Sequence, residues 1–270
     1  MRTSAISKSH HHGQMSEAFS TVVFLSMSGG LQDAYTYLAR GGVFANAQTG
    51  NIVLLSVNLF QGGWGMALRY LVPLSAFALG VLAAELTRWR FQNLSRFHWR
   101  QLVVLAEIAL LFAVGFLPDS LDLPANALVS FSCAMQVQAF RKVDGYAFAS
   151  TMCIGNLRSG MESLCAWRRT GNTQSRRKAG RYFGVILLFA LGAGIGGVCV
   201  PLLGFRTIWL SSSLLAVSFC LMFIREDLEE NPAIEQDLKD IRRDTADIGR
   251  RLGEELLGRE DAPADTGKTE

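Results

Sequence analysis

The amino-acid sequence predicts an all-α, polytopic helical membrane protein. It is read as two inverted repeats of three spans each, every repeat carrying a re-entrant or broken Gly-Asn segment. Three observations lead there. Of the 270 residues 50% are hydrophobic and only 18% charged, and the apolar excess lies between about residues 20 and 224. Near-continuous apolar runs recur at 66–86, 102–117, 123–140, 182–203 and 207–224, several at or close to the roughly 17–25 residues that a bilayer-spanning helix takes. Finally, the chain matches itself at a nearly constant offset. A soluble domain of this size would show half-polar helices or alternating strands instead.

Residues 1–18 are polar and lack the apolar core of a signal peptide. A solvated cytoplasmic tail is expected there, with metal binding by His10, His11 and His12 as the alternative. The first span, 19–39, then serves as the insertion signal. A polar segment at 43–61 follows, containing FANAQTGNI (44–52), and then spans at 66–87 and 101–117. The second set comprises a span at 123–141, a segment at 146–166 containing FASTMCIGNL (148–157), and spans at 182–203 and 207–224.

At an offset of 105, Ala34 and Tyr35 lie over Ala139 and Phe140, and Gly50-Asn51 lies over Gly155-Asn156. The next helix carries FALG at 77–80 and again at 189–192, an offset of 112. The seven extra residues are assigned to RRTGNTQSRRKAGR (168–181), read as a polar linker that tolerates insertion. The domains are therefore a tail at 1–18, membrane repeats at 19–117 and 118–225, and a cytoplasmic amphipathic helix with a disordered tail at 226–270. In that last part Ile234, Leu238, Ile241, Thr245, Ile248 and Leu252 form a short heptad seam. The seam suits a homodimer or packing on the protein itself.

Charge decides the orientation. Basic loops near span ends stay cytoplasmic. With six spans and both termini inside, the Arg-rich 88–100 loop and the 168–181 linker both fall inside, and the acidic 118–123 connection falls outside. Eight full spans would put the two basic loops on opposite faces. Non-helical backbone at membrane depth needs protein or a water-filled cavity around it, and paired interrupted segments from inverted repeats commonly meet near the midplane of transporters. On that basis Gly50 and Gly155 are expected to permit close backbone approach or a positive φ, and Asn51 and Asn156 to offer hydrogen bonds. The candidate substrate-binding residues are Asp33, Gln48, Thr49, Gly50, Asn51, Gln138, Gly155 and Asn156.

Asp33 lies within a span, where a charge is costly and faces the protein interior. It reads either as a proton or cation site, or as a structural acid held by nearby Gln32, Tyr35 or Tyr37. Glu107, inside LVVLAEIALL, needs a partner or a proton. Arg158 and Glu162 are spaced to pair on one helical face, with Asp144 as another partner for Arg158 or Arg141. Gly184, Gly192 and Gly196 form a small-residue stripe suited to close helix packing. Cys133, Cys153, Cys165, Cys199 and Cys220 form neither a disulfide framework nor a zinc site.

GGLQDAYTYLARGGVFANAQTGN resembles the signature of the YoaK-like bacterial membrane proteins (domain of unknown function 1275), with Gly30, Asp33, Ala34, Thr49, Gly50 and Asn51 matching. The second family element resembles MQVQAF and CIGN, with Gln136, Gln138, Ala139 and Gly155 in place and Ile154 where Thr is usual. The resemblance spans residues 18 to 224 and implies a small polytopic protein of the bacterial inner (plasma) membrane, without naming a substrate. The expected function is transport of a small solute or ion through a central site between the repeats. The alternative is a non-transporting accessory or assembly protein that recruits partners through its C-terminal helix. No cofactor, metal, enzymatic activity or nucleic-acid partner is expected: H-E-x-x-H, Gly-x-Ser-x-Gly and P-loop motifs are absent. The partners are the lipid bilayer and an unidentified small solute or ion.

Overall fold

The computed structural model describes residues 19–91, 99–143, 146–147 and 150–230. The C-terminal heptads, the N-terminal histidines and Asp144 lie outside them. Eight α-helices follow one another: α1 (Phe19–Ala39), α2 (Gln48–Phe60), α3 (Trp64–Phe91), α4 (Trp99–Val114), α5 (Asp122–Ala139), α6 (Cys153–Thr170), α7 (Thr173–Leu203) and α8 (Ile208–Glu230). Short 3-10 turns, Asp119–Leu121 and Gly204–Thr207, lead into α5 and α8. Between α5 and α6 an antiparallel two-residue ladder pairs β1 (Lys142–Val143) with β2 (Tyr146–Ala147). Each expected span has its helix, and each Gly-Asn segment has become an irregular turn followed by a helix. The packing below is that of the unit ending at Met222.

The bundle is apolar outside, and its interior combines an apolar core with buried polar side chains. On α7, Leu187, Leu191, Ile195, Val198 and Leu202 form one exposed stripe, while Gly192 and Gly196 are buried. On α3, Leu68, Leu71, Leu79, Leu82 and Leu86 face outward between exposed Trp64 and Trp89, which suit the two membrane interfaces. The interior holds Ser28, Gln32, Thr36, Glu107, Ser130 and Gln136, all buried. A protein dissolved in water rarely exposes so continuous an apolar surface. Trp64–Phe91 and the run Thr173–Phe223 are each long and apolar enough to cross a membrane. α4 has only 16 residues, and in α1 and α5 inward polar residues dilute the apolar run. At about 1.5 Å per residue, the 13-residue α2 reaches only about 20 Å, less than the bilayer's roughly 30 Å hydrocarbon core.

The most extensive packing crosses the halves: α1 lies on α7, and α3 on α5. Within the halves, α2 lies on α3 and α6 on α7. The two FALG copies explain the crossed contacts. A Cβ at Gly192 would collide with the Met27 carbonyl of α1, and one at Gly80 with the Phe131 carbonyl of α5. The last residue of each copy thus lets α7 and α3 touch the backbone of their partner helix.

The seven extra residues of the second copy do not form a loop. α6 runs on to Thr170 and α7 already begins at Thr173. Residues 168–181 are therefore helix on both sides of a Gly171-Asn172 turn, in which Gly171 has a φ of 65° and the Asn172 side chain accepts from the Gln174 amide. Helix extension, rather than a flexible linker, absorbs the insertion.

The ends of the bundle are tied separately. Arg40, fully buried just past α1, pairs with Asp122 at 3.0 Å and donates to the carbonyls of Leu117 and Pro118. At the opposite ends of α4 and α5, Arg100 donates to the Ala139 carbonyl, and Arg141 lies 3.5 Å from Glu85 of α3.

Candidate functional site

The site is built around the middle of α1. Gly29 stands midway along Phe19–Ala39, and both irregular turns reach it. The Asn46 side chain donates to the Gly29 carbonyl at 3.2 Å. From the other turn Thr151 packs so closely that a Cβ at Gly29 would strike its methyl group. One turn further on, Asp33 accepts a 2.7 Å hydrogen bond from the Asn46 amide. The second turn is held by Gln136 of α5, which donates to the Ser150 hydroxyl at 2.9 Å and to the Leu25 carbonyl at 3.2 Å. The Asn46 backbone N–H is thus satisfied by a side chain of α1, and the second turn is anchored to α5 through the Ser150 hydroxyl.

A polar network continues inward from this point. Gln32 donates to Ser28 and Ser211 at 2.9 Å each and to Glu107 at 3.4 Å. Ser28 and Ser211 share a 2.6 Å hydrogen bond, joining α1 to α8. The Cys133 thiol of α5 donates to the Gln32 side-chain oxygen at 2.6 Å, and Cys133 also lies beside Asn46. Glu107 lies near the centre of α4, fully buried. Four helices and both turns therefore contribute to one polar interior that holds two carboxylates. No ion pair reaches either of them among the described residues.

The predicted residues divide. Asp33 lies in this interior, but its partner is Asn46; Gln32 turns to Glu107, and Tyr35 to Arg40. Gln48, Thr49, Gly50 and Asn51 form the first turn of α2. There Asn51 is buried and spends its amide on its own turn: it donates to the Phe44 carbonyl at 2.7 Å and to Gln48 at 3.0 Å, and accepts from the Phe44 amide at 3.3 Å. Gln48 donates to the Ala45 carbonyl, and Thr49 is exposed. Asn156 is buried in the first turn of α6. Gln138 lies apart, donating to Glu85 at the end of α3.

The expectation for the two glycines is corrected. Neither Gly50 nor Gly155 has a positive φ, since both sit inside a helix, and a Cβ at Gly155 would meet open space. The tight approach belongs instead to Gly29, Gly30, Gly80 and Gly192. Arg158 and Glu162 pair at 3.1 Å on the exposed face of α6, and Gly194 and Gly197 face open space.

Sequence reading passed over Asn46, Ser28, Ser211 and Cys133, and used Gln32 only as a neighbour of Asp33. Their shared signal was the density of Ser, Gln and Cys inside apolar spans.

The family described as "Protein of unknown function (DUF1275)" matches residues 21–221. The chain belongs to this family. The matched region takes in α2 to α7 whole, most of α1 and α8, and the residues of the polar interior. The chain is also 26% identical over 201 residues to the UPF0700 transmembrane protein YoaK of Bacillus subtilis (strain 168), covering 71% of this chain and 88% of that protein. No solved structure gives a significant match. Together with the outward leucine stripes, this makes the protein an integral membrane protein.

Proposed function

We propose that this protein carries a small solute or ion across the bacterial inner membrane through a site between two inverted repeats, at the level of Gly29. One observation carries the reading: the turns of both halves end on the middle of α1, beside Asp33 and the Gln32–Glu107 network. Soluble and structural membrane proteins have little use for two acids and a connected amide-hydroxyl network at that depth. Transporters place such groups where interrupted helices meet.

The inverted arrangement has its own support. Each first helix packs on the second helix of the other half, α1 on α7 and α5 on α3, through the equivalent glycines of FALG. The Arg40–Asp122 pair brings the end of α1 to the α4–α5 connection. Six spans with α2 and α6 inserted without crossing put both of these on one face, whereas eight full spans put them on opposite faces. With both termini cytoplasmic, that face is the external one.

Within this site Asp33 and Asn46 face the solute, and the Gly-Asn turns hold Asn46 and Thr151 in position. The test is flux of a panel of amino acids, sugars, organic acids and monovalent ions into proteoliposomes, with thermal stabilisation by the same panel in parallel. Flux above empty liposomes that Asp33→Asn abolishes supports the reading. Neither flux nor stabilisation across the panel, or flux indifferent to Asp33, overturns it.

A further inference from the structure

Glu107 stands apart from the pair that faces the turns. Its side chain is fully buried near the centre of α4. One carboxyl oxygen receives a single long hydrogen bond from Gln32, at 3.4 Å, and the other has no hydrogen-bond partner. The Ser132 hydroxyl of α5 lies beside Glu107, close enough to share a hydrogen bond with its carboxyl group, and has no other partner among the described residues. Burying an ionised carboxylate with only neutral donors, Gln32 and Ser132, and no cation costs several kcal/mol. A proton on the free oxygen removes that cost. The neutral acid can still share a hydrogen bond with the Ser132 hydroxyl, now as its donor, so protonation leaves neither atom without a partner.

We propose that Glu107 is a proton-binding site: it enters the closed bundle as the neutral acid, donates to Ser132, and exchanges its proton when the interior between α1, α4, α5 and α8 opens to water. The groups around it fit that task. From α1 it faces the uncharged Gln32, with Asp33 on the far side of Cys133; from α5 it faces Ser132 and the Cys133 thiol; from α8 the network brings only the Ser211 hydroxyl. No basic side chain pairs with it among the described residues, so protonation changes the charge of the interior outright. The step is the exchange of one proton between a carboxylate and water. The coupling role, in which that proton accompanies a solute, rests on the transport reading; the binding of the proton does not.

The experiment is infrared spectroscopy of the full-length protein in lipid, comparing wild type with Glu107→Gln and Glu107→Asp. The expected result is a carboxylic-acid C=O band at neutral pH that Glu107→Gln lacks, that shifts on exchange into D2O, and that gives way to carboxylate bands as pH rises. Glu107→Asp keeps the band at a shifted frequency, which covers the case in which the Gln variant does not fold. Absence of the band overturns the proposal. So does a band that neither exchanges nor titrates before the protein unfolds, since that describes a sealed structural acid. Thermal stabilisation by Na+ over choline that Glu107→Gln abolishes also overturns it, in favour of a metal cation. Solute flux without a titrating band sinks proton binding and leaves transport standing; a titrating band in a protein that moves nothing across the full panel does the reverse.

Discussion

Replacing Arg40 with Ala should destabilise the bundle more than any other single truncation at its surface ends. The Arg40 Nε donates to the Tyr35 hydroxyl at 2.8 Å. One terminal nitrogen serves Asp122 and the Pro118 carbonyl at 3.0 Å each, and the other serves the carbonyls of Leu117 and Val114 at 2.7 and 3.3 Å. The guanidinium also lies 3.9 Å from the Phe205 ring centroid. One of these acceptors, the Val114 carbonyl, ends α4, where carbonyls have no partner within the helix and a cation complements the dipole; the Leu117 and Pro118 carbonyls lie just beyond it. Ala leaves those carbonyls and Asp122 unpaired in a largely buried place, a loss of about 3–5 kcal/mol for breaking a buried pair. For a unit of this size each kcal/mol moves the melting midpoint by about 2–4 °C, so the fall is about 6–20 °C. Lys keeps the charge but not the fork, and falls between. The assay is thermal scanning in detergent at one fixed rate, because membrane-protein unfolding is commonly irreversible. A midpoint for Arg40→Ala within about 2 °C of wild type, well below the range calculated from the same scaling, would refute the reasoning, as would equal midpoints for Ala and Lys.

Three further outcomes are expected. Gly192→Val and Gly80→Val drive a side chain into the backbone of α1 and α5 and should abolish monodisperse protein in size-exclusion chromatography; Gly155→Ala and Gly197→Ala enter open space and should leave the midpoint unchanged or raise stability by about 0.5–1 kcal/mol. Ser120→Cys in a background free of other cysteines should react with an impermeant thiol reagent only from the external side, and labelling confined to the cytoplasmic side contradicts the six-span arrangement. Asp33→Asn keeps an oxygen for the Asn46 amide and should lose flux with little change in midpoint, whereas Asn51→Ala frees the Phe44 backbone and should cost about 1–3 kcal/mol of stability; the reverse pattern would exchange the roles given to these two residues.

The helices were legible in the sequence because lipid leaves the chain few options. A long apolar run has to satisfy its backbone internally, so each run became a helix at its expected place, from α1 to α8. The two FALG motifs stood out in the sequence, and Gly80 and Gly192 in them each meet a helix backbone. The site was harder. Gly50 and Asn51 looked like ligand groups, but a polar pair opening a short helix serves equally to hold a turn, and Asn51 does that. Nothing local distinguishes the two uses. Nor does sequence spacing bring Ser211 to Ser28, 183 residues apart; that contact exists only once α8 is packed.

Arg40 shows what counting charges missed in the sequence, a buried structural centre at one end of the bundle. The six-span arrangement puts Arg40, Arg69 and Arg206 at the external end, against the rule that basic residues stay inside. Two of them lie close to Asp122, the acid that opens α5. Arg40 pairs with Asp122, and a Cβ built at Gly41 would touch both the Arg69 guanidinium and the Asp122 carboxylate. The third, Arg206, lies 5.9 Å from the Trp209 ring centroid. The rule weighs basic residues in loops near span ends and takes little account of acidic ones. Arg40 is fully buried and paired, so it adds structure at that end and little exposed positive charge. A neutral variant at Asp122 removes the compensation without removing the arginine. Asp122→Asn should therefore lower the melting midpoint by less than Arg40→Ala, since Asp122 is 29% exposed and the α4 carbonyls keep their donor. It should also weaken external placement of this connection, read as a rise in cytoplasmic labelling of Ser120→Cys. Unchanged labelling would mean that packing of α1 on α7 fixes the orientation by itself.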